Sequence, residues 1–364
     1  MKLMSPKLFK QLPVFLALLA GLGISHANDS KGKQTKEKTI KKEFTVNPDA
    51  LLKIDNSFGN LVLNSWEENR VVIEVHITAT GSNEDKVQRK LDEITVEFEA
   101  SADMVSARTR FEKSSSWGWW GKDNNVNMQI NYTVKMPVKN SVHLSNDYGN
   151  ITLDRVDGHA KISCDYGRLD LGELRGRNNQ LSFDYTSKSR IGYMNSGQIS
   201  ADYSEFTVEK AGNLNISADY TNSKILSTDD LVYSSDYGNL DVAEGGNFQG
   251  NGDYMTVNLG TVHGKVDISA DFGSIRIDRL AADAGDVNLQ TSYMGIKIGF
   301  DPAYQFDFEV TAEHSGVKGM DDFTISVSKE EKNSRYYKGY SGSTGSGRSI
   351  RINSEYGTVS FDRQ

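Results

Sequence analysis

Along residues 141–300 short runs alternate apolar and polar positions, and the alternation keeps register with a recurring aromatic residue. Four positions before the aromatic stand Leu144, Ile162, Leu181, Ile199, Ile216 and Ile268. Three after it come Ile151, Leu169, Phe206, Leu240, Val257 and Ile275, and five after it Leu153, Leu171, Val208, Ile225, Val242, Leu259 and Ile277. Spacing by two is the signature of a half-buried strand, so each repeat predicts one short strand before the aromatic and another after it. A second turn closes the unit at Val156-Asp157-Gly158, Leu174-Arg175-Gly176 and Val262-His263-Gly264.

The aromatics themselves are Tyr148, Tyr166, Tyr185, Tyr203, Tyr220, Tyr237, Tyr254 and Phe272, at intervals of 18, 19, 18, 17, 17, 17 and 18 residues. A unit of 17–19 residues is too small to bury its own apolar face, so copies must stack and share one core. The expected fold is therefore all-β: a single-stranded β-solenoid, or β-helix, expected to be right-handed, with identical positions on successive rungs about 4.8 Å apart.

Residues 43–140 depart from the register. An early unit, Ile54-Asp55-Asn56-Ser57-Phe58-Gly59-Asn60-Leu61-Val62-Leu63, precedes strand-like alternation over Val71 to Thr78, Ile94 to Ala100, Val105 to Phe111 and Val126 to Met136. Val87 and Leu91 predict a short helix within Glu84 to Ile94, making this region an N-terminal β-rich cap over the open end of the stack. Residues 301–364 read as irregular C-terminal rungs: Tyr293 begins a further unit, Lys329 to Arg348 reads as a Gly/Ser/Lys loop, and a last clean unit spans Ile352 to Phe361. Terminal rungs are expected to be atypical because an open sheet edge must be blocked.

The first 27 residues, with Lys2, Lys7 and Lys10, an apolar run from Leu12 to Ile24 and Ser25-His26-Ala27, read as a secretory signal peptide. Residues 28–42 read as a flexible basic arm. No other stretch is long and uncharged enough to span a membrane. Without the three signal lysines the formal net charge moves from −8 to −11, which argues against nucleic acid and anionic lipid as partners. The single cysteine, Cys164, excludes an intramolecular disulfide and, two residues before Tyr166, reads as a small buried spacer.

Three features carry candidate chemistry. The Asp column, Asp147, Asp165, Asp184, Asp202, Asp219, Asp236, Asp253 and Asp271, is read first as turn acceptors, each taking backbone N–H bonds where Gly149, Gly167, Gly238 and Gly273 tolerate unusual dihedrals. A row of bound calcium ions is the competing reading, disfavoured because the glycine-paired nonapeptide calcium signature is absent. The aromatic column is read as packing at a corner, with an exposed ladder that grips polysaccharide as the alternative. Trp117, Trp119 and Trp120, in a Ser- and Gly-flanked loop outside the repeat, are candidate ligand contacts, weighed evenly against a role in plugging the cap.

No catalytic, cofactor-binding or metal-binding residues are expected. Gly260-Thr261-Val262-His263-Gly264-Lys265 has too few residues between its glycines for a phosphate loop, and His76, His143, His159, His263 and His314 lack metal-ligand spacing. Lys135-Met136-Pro137-Val138 leading into Ser145-Asn146-Asp147-Tyr148-Gly149-Asn150-Ile151-Thr152-Leu153, the array beyond it, and Ser354-Glu355-Tyr356-Gly357-Thr358-Val359 after a Gly/Ser-rich loop resemble the bacterial putative-adhesin domain family. That family is a domain of unknown function similar to auto-transporter adhesin heads. The resemblance runs from about Ile54 to Phe361, implies a β-solenoid, and brings no catalytic residues. The resulting expectation is an exported, non-catalytic adhesin or cell-envelope binding module, periplasmic or on the surface, for glycan or protein. A carbohydrate-active β-helix enzyme is the alternative, and a calcium-stabilised structural spacer the third reading.

Overall fold

A computed structural model describes residues 32–112 and 126–364. The signal segment and Trp117, Trp119 and Trp120 lie outside the described residues. Among those described, the chain is all-β, with 24 strands and a single helix, Glu84–Glu93.

Strands stack in parallel, each on the equivalent strand one unit later: His143 opposes Lys161, Val208 opposes Ile225, and Asp267 opposes Asn288. Because side chains alternate, the same register turns every aliphatic column inward, and Leu144, Ile162, Ile199, Ile216, Leu171 and Ile277 are buried in one continuous core. Tyr233 takes an aliphatic place in this column. Its ring is buried opposite Gly250 of the next strand, and its hydroxyl reaches Ser223 Oγ at 3.2 Å. The large residue is thus matched to a small neighbour and its polar tip finds a partner.

The N-terminal cap begins with the early unit. Leu51–Ser57 and Leu61–Trp66 lie in parallel on Ser141–Asp147 and Ile151–Val156. Beyond them, Met104–Phe111 pairs in antiparallel fashion with Ile94–Ala100, and Arg70–Gly81 lies between Val126–Pro137 and Gln34–Thr45. This last strand corrects the expectation of a flexible arm over 28–42. From Gln34 the chain is an edge strand in full register with Arg70–Gly81. Its lysines misled the reading: Lys38 lies partly buried and donates to the carbonyls of Leu91 and Ile94 at 2.7 and 2.6 Å, satisfying acceptors at the helix C-terminus. Burial lowers the Lys38 pKa. At the helix N-terminus, Asn83 Oδ1 accepts from the Lys86 N–H at 2.9 Å, while Val87 and Leu91 face the core.

The C-terminal units interleave. Val287–Phe300 is followed in space by the last strands of the chain, Ser349–Glu355 and Val359–Arg363, and only then by Phe306–Glu313 and Val317–Lys318. Half of the expected loop from Lys329 to Arg348 is strand. Ser334–Ser341 pairs antiparallel with both Phe306–Glu313 and Thr324–Glu330, and these strands block the end of the stack.

Candidate ligand-binding face

Every aromatic of the repeat sits in the left-handed region of backbone space. From Phe58 through Tyr356, with His314 included, φ lies between 51° and 65°. For a residue with a Cβ this costs about 1–2 kcal/mol each. The compensation is stacking. Tyr148 to Tyr166, Tyr203 to Tyr220 and Tyr237 to Tyr254 stand 5.1, 4.8 and 4.7 Å apart by ring centroid, within 7° of parallel. A ring pair contributes about 0.5–1.5 kcal/mol, so the ladder and its backbone conformation roughly offset one another. The column is not core packing: Tyr148 is 55% exposed and Phe272 39%. The inward place at this corner is taken two residues earlier, by Asn146, Cys164, Ala201 and Ala218, all buried. Since each internal ring has a parallel ring on both faces, it offers solvent its edge and, except at Phe272, its hydroxyl.

The glycine after the aromatic serves close approach. A Cβ at Gly149 would overlap the Gly59 carbonyl oxygen, and one at Gly167 the Gly149 carbonyl oxygen. Thr186, Ser204 and Thr221 replace it on three rungs and are buried there; the Ser204 and Thr221 hydroxyls accept the N–H of the preceding rung, at 3.1 Å for Thr186 N to Ser204 Oγ and Ser204 N to Thr221 Oγ1, while the Thr186 hydroxyl meets those of Ser204 and Ser189.

The Asp carboxylates bridge rungs. Asp184 Oδ1 accepts from Asp202 N at 3.0 Å, Asp202 Oδ1 from Asp219 N at 3.1 Å, Asp219 Oδ1 from Asp236 N at 2.8 Å, and Asp236 Oδ1 from Asp253 N at 3.0 Å. Asp165 and Asp271 act alike on Asp184 N and Ser292 N. Asp147, at the start of the column, has its pKa raised by partial burial and then by the Asp165 and Asp55 charges. Among the described residues no cluster of His, Cys, Asp and Glu is arranged to hold a metal ion. Cys164 is buried with Sγ 3.4 Å from the Gly149 carbonyl oxygen, and burial pushes its pKa to about 12, so the thiol stays protonated.

Beside the acids run two outward columns that sequence reading missed. Three residues before the aromatic stand Ser145, Ser163, Ser182, Ser200, Ser217, Ser234 and Ser269, with Asn251 in that place before Tyr254; five before stand Lys53, His143, Lys161, Gln180, Gln198, Asn215 and Gln249. The period that marks the aliphatic column four residues before the aromatic marks these as well, one position to either side of it. All but Ser234, Asn251 and Ser269 line a groove in two contiguous stretches of about 850 and 980 Å³ that share Gln180, Gln198 and Asn215. Lys53, His143 and Lys161 oppose one another directly at one end. Burial and then the Lys53, His159 and Lys161 charges lower the His143 pKa. The carboxylate there, Asp55, is held by Arg108 at 2.9 Å.

No protein-family model matches the chain, and no curated protein sequence does. Among solved structures it is similar to a putative cell adhesion protein from Clostridium sporogenes, at 14% identity over 90% of this chain and 100% of that one, with a TM-score of 0.18. It is also similar to a putative adhesin from Parabacteroides distasonis, at 12% identity over 72% and 97% with a TM-score of 0.31. A putative lipid binding protein from the same organism matches at 11% over 71% and 95%, with a TM-score of 0.30. These likenesses supply no ligand and no residue role.

Proposed function

We propose that the chain is an exported, non-catalytic binding module of the cell envelope, periplasmic or surface-exposed, built as a right-handed β-solenoid beneath an N-terminal cap. The hand follows from the strong preference of crossovers between parallel strands. One observation carries the reading: the exposed chemistry repeats rung after rung, with ring edges, carboxylates, hydroxyls and amides in parallel columns. A surface that repeats suits a ligand that repeats or a broad partner surface, whereas catalysis requires one singular constellation. The enzyme alternative needs acids gathered at one place in the groove, whereas Asp55 is paired with Arg108 at one end and Asp230 and Asp267, at the other, accept from the Asn247 and Asn288 side-chain amides. Trp117, Trp119 and Trp120 stand in this proposal as further contacts on the cap.

The test is to present the mature chain, residues 28–364, to glycan arrays and isolated envelope fractions, and to incubate it with soluble polysaccharides while following chain length. Retention on at least one glycan or envelope fraction without cleavage is expected. Retention by nothing, or shortening of a polysaccharide, would overturn it.

A further inference from the structure

Resting on the reading of this chain as a binding module, we propose that the groove holds a linear acidic polysaccharide laid along the stack axis, its anionic groups meeting Lys53, His143 and Lys161.

Length comes first. From Lys53 to Asp267 the outward column crosses eight rung-to-rung steps, about 38 Å at 4.8 Å per step. The continuous groove therefore accommodates an extended polymer. Its walls are serine hydroxyls and Gln and Asn amides, which both donate and accept, as the hydroxyls of a sugar chain require. Val232, 42% exposed, interrupts the column. A peptide has little purchase here. Strand addition needs a free sheet edge, whereas this is the face of a sheet whose strands are paired on both sides, and the apolar recess that shares Leu231, Phe248 and Gln249 with the groove holds only about 20 Å³.

Charge selects the class of sugar. Lys53 and Lys161 stand on the same outward column with only His143 between them, its ring 6.2 Å from that of His159 and its protonation disfavoured, so two ammonium groups flank an uncharged imidazole. Neither lysine forms an ion pair among the described residues, and the nearby Asp55 is taken by Arg108. In a chain of net charge −8, this basic end lacks its counter-charge. The far end carries Asp230 and Asp267 against one cation, Lys265, so the groove is polarised along its length. Carboxylates of a polyuronate or sulfates of a sulfated glycan provide the same missing charge.

The probes are alginate for carboxylates, dextran sulfate for sulfates, and neutral dextran and polyuridylate as controls, with binding measured by affinity electrophoresis and calorimetry at two salt concentrations. Alginate or dextran sulfate is expected to bind with salt-sensitive affinity, and which one binds identifies the anionic group. The double variant Lys53→Gln, Lys161→Gln should weaken binding at least tenfold and flatten the salt dependence. Ser200→Trp, which fills the groove two rungs beyond Lys161 without removing a charge, should weaken binding but keep the salt slope. Both changes lie on the exposed face, and an unchanged melting curve certifies folding. Undiminished binding by both variants, equal binding of polyuridylate, or preference for neutral dextran would overturn the proposal. If envelope fractions retain the chain while neither acidic polymer does, this inference fails and the binding-module reading stands; if nothing is retained, both fail.

Discussion

The ring of Tyr356 stacks on that of His314 at 4.5 Å, 4° from parallel, and carries Tyr293 on its opposite face at 4.6 Å. The last rung in the chain is thus the penultimate rung in space. Its backbone is tied in as well, with Tyr356 N donating to the Glu313 carbonyl at 2.9 Å. The end of the chain closes the stack from within.

It follows that Ile352, buried and opposed to both Leu289 and Val310, belongs to the core although it lies near the C-terminus. Ile352→Ala should cost about 2–5 kcal/mol, measured by chemical denaturation. A cost below half a kilocalorie would show that the terminal strands are not integral to the fold.

The aromatic corner separates backbone from ring. In Tyr203→Ala the left-handed conformation remains costly and the stacking is lost, whereas Tyr203→Gly loses the stacking alone. Glycine should therefore be the milder change by about 1 kcal/mol, the reverse of the usual order within strands. Equal melting temperatures for the two variants would contradict the conformational argument.

The Asp column distinguishes a hydrogen-bond acceptor from a cation ligand. Asp202→Asn keeps an oxygen for the Asp219 N–H and should be mild, whereas Asp202→Ala should cost about 1 kcal/mol. Thermal scans with calcium and with chelator should coincide. A calcium-dependent rise in melting temperature would sink this account.

Asp147 has its pKa raised in the folded state, so folding favours its protonated form. That contribution is complete below the ordinary carboxylate pKa and is lost as pH rises through the raised folded value. Asp147→Asn should accordingly raise the melting temperature at neutral pH, with the gain vanishing in acid. A gain that persists unchanged at low pH would assign the effect to something other than ionisation.

Replacing Trp117, Trp119 and Trp120 together with Ala should leave the melting transition nearly intact while weakening retention on envelope fractions, because truncating a binding anchor typically costs about 2 kcal/mol or more. Unfolding of the triple variant would make these residues structural.

The sequence by itself determined the period, the inward columns and the helix around Val87 and Leu91, because burial forces side chains of one register to one side and composition records which side that is. It also located the corners through Asp147, Tyr148 and their repeats. Only the tertiary structure decided what the corners do: the left-handed residue is the aromatic, its ring lies in solvent, and the carboxylate serves the next rung. These outcomes depend on contacts between rungs, which have no signature within a single one. The edge strand Gln34–Thr45 and the interleaving at Tyr356 stayed hidden for the same reason. Local alternation says that a strand forms, while its partner is chosen by whichever distant edge leaves the fewest backbone groups unpaired.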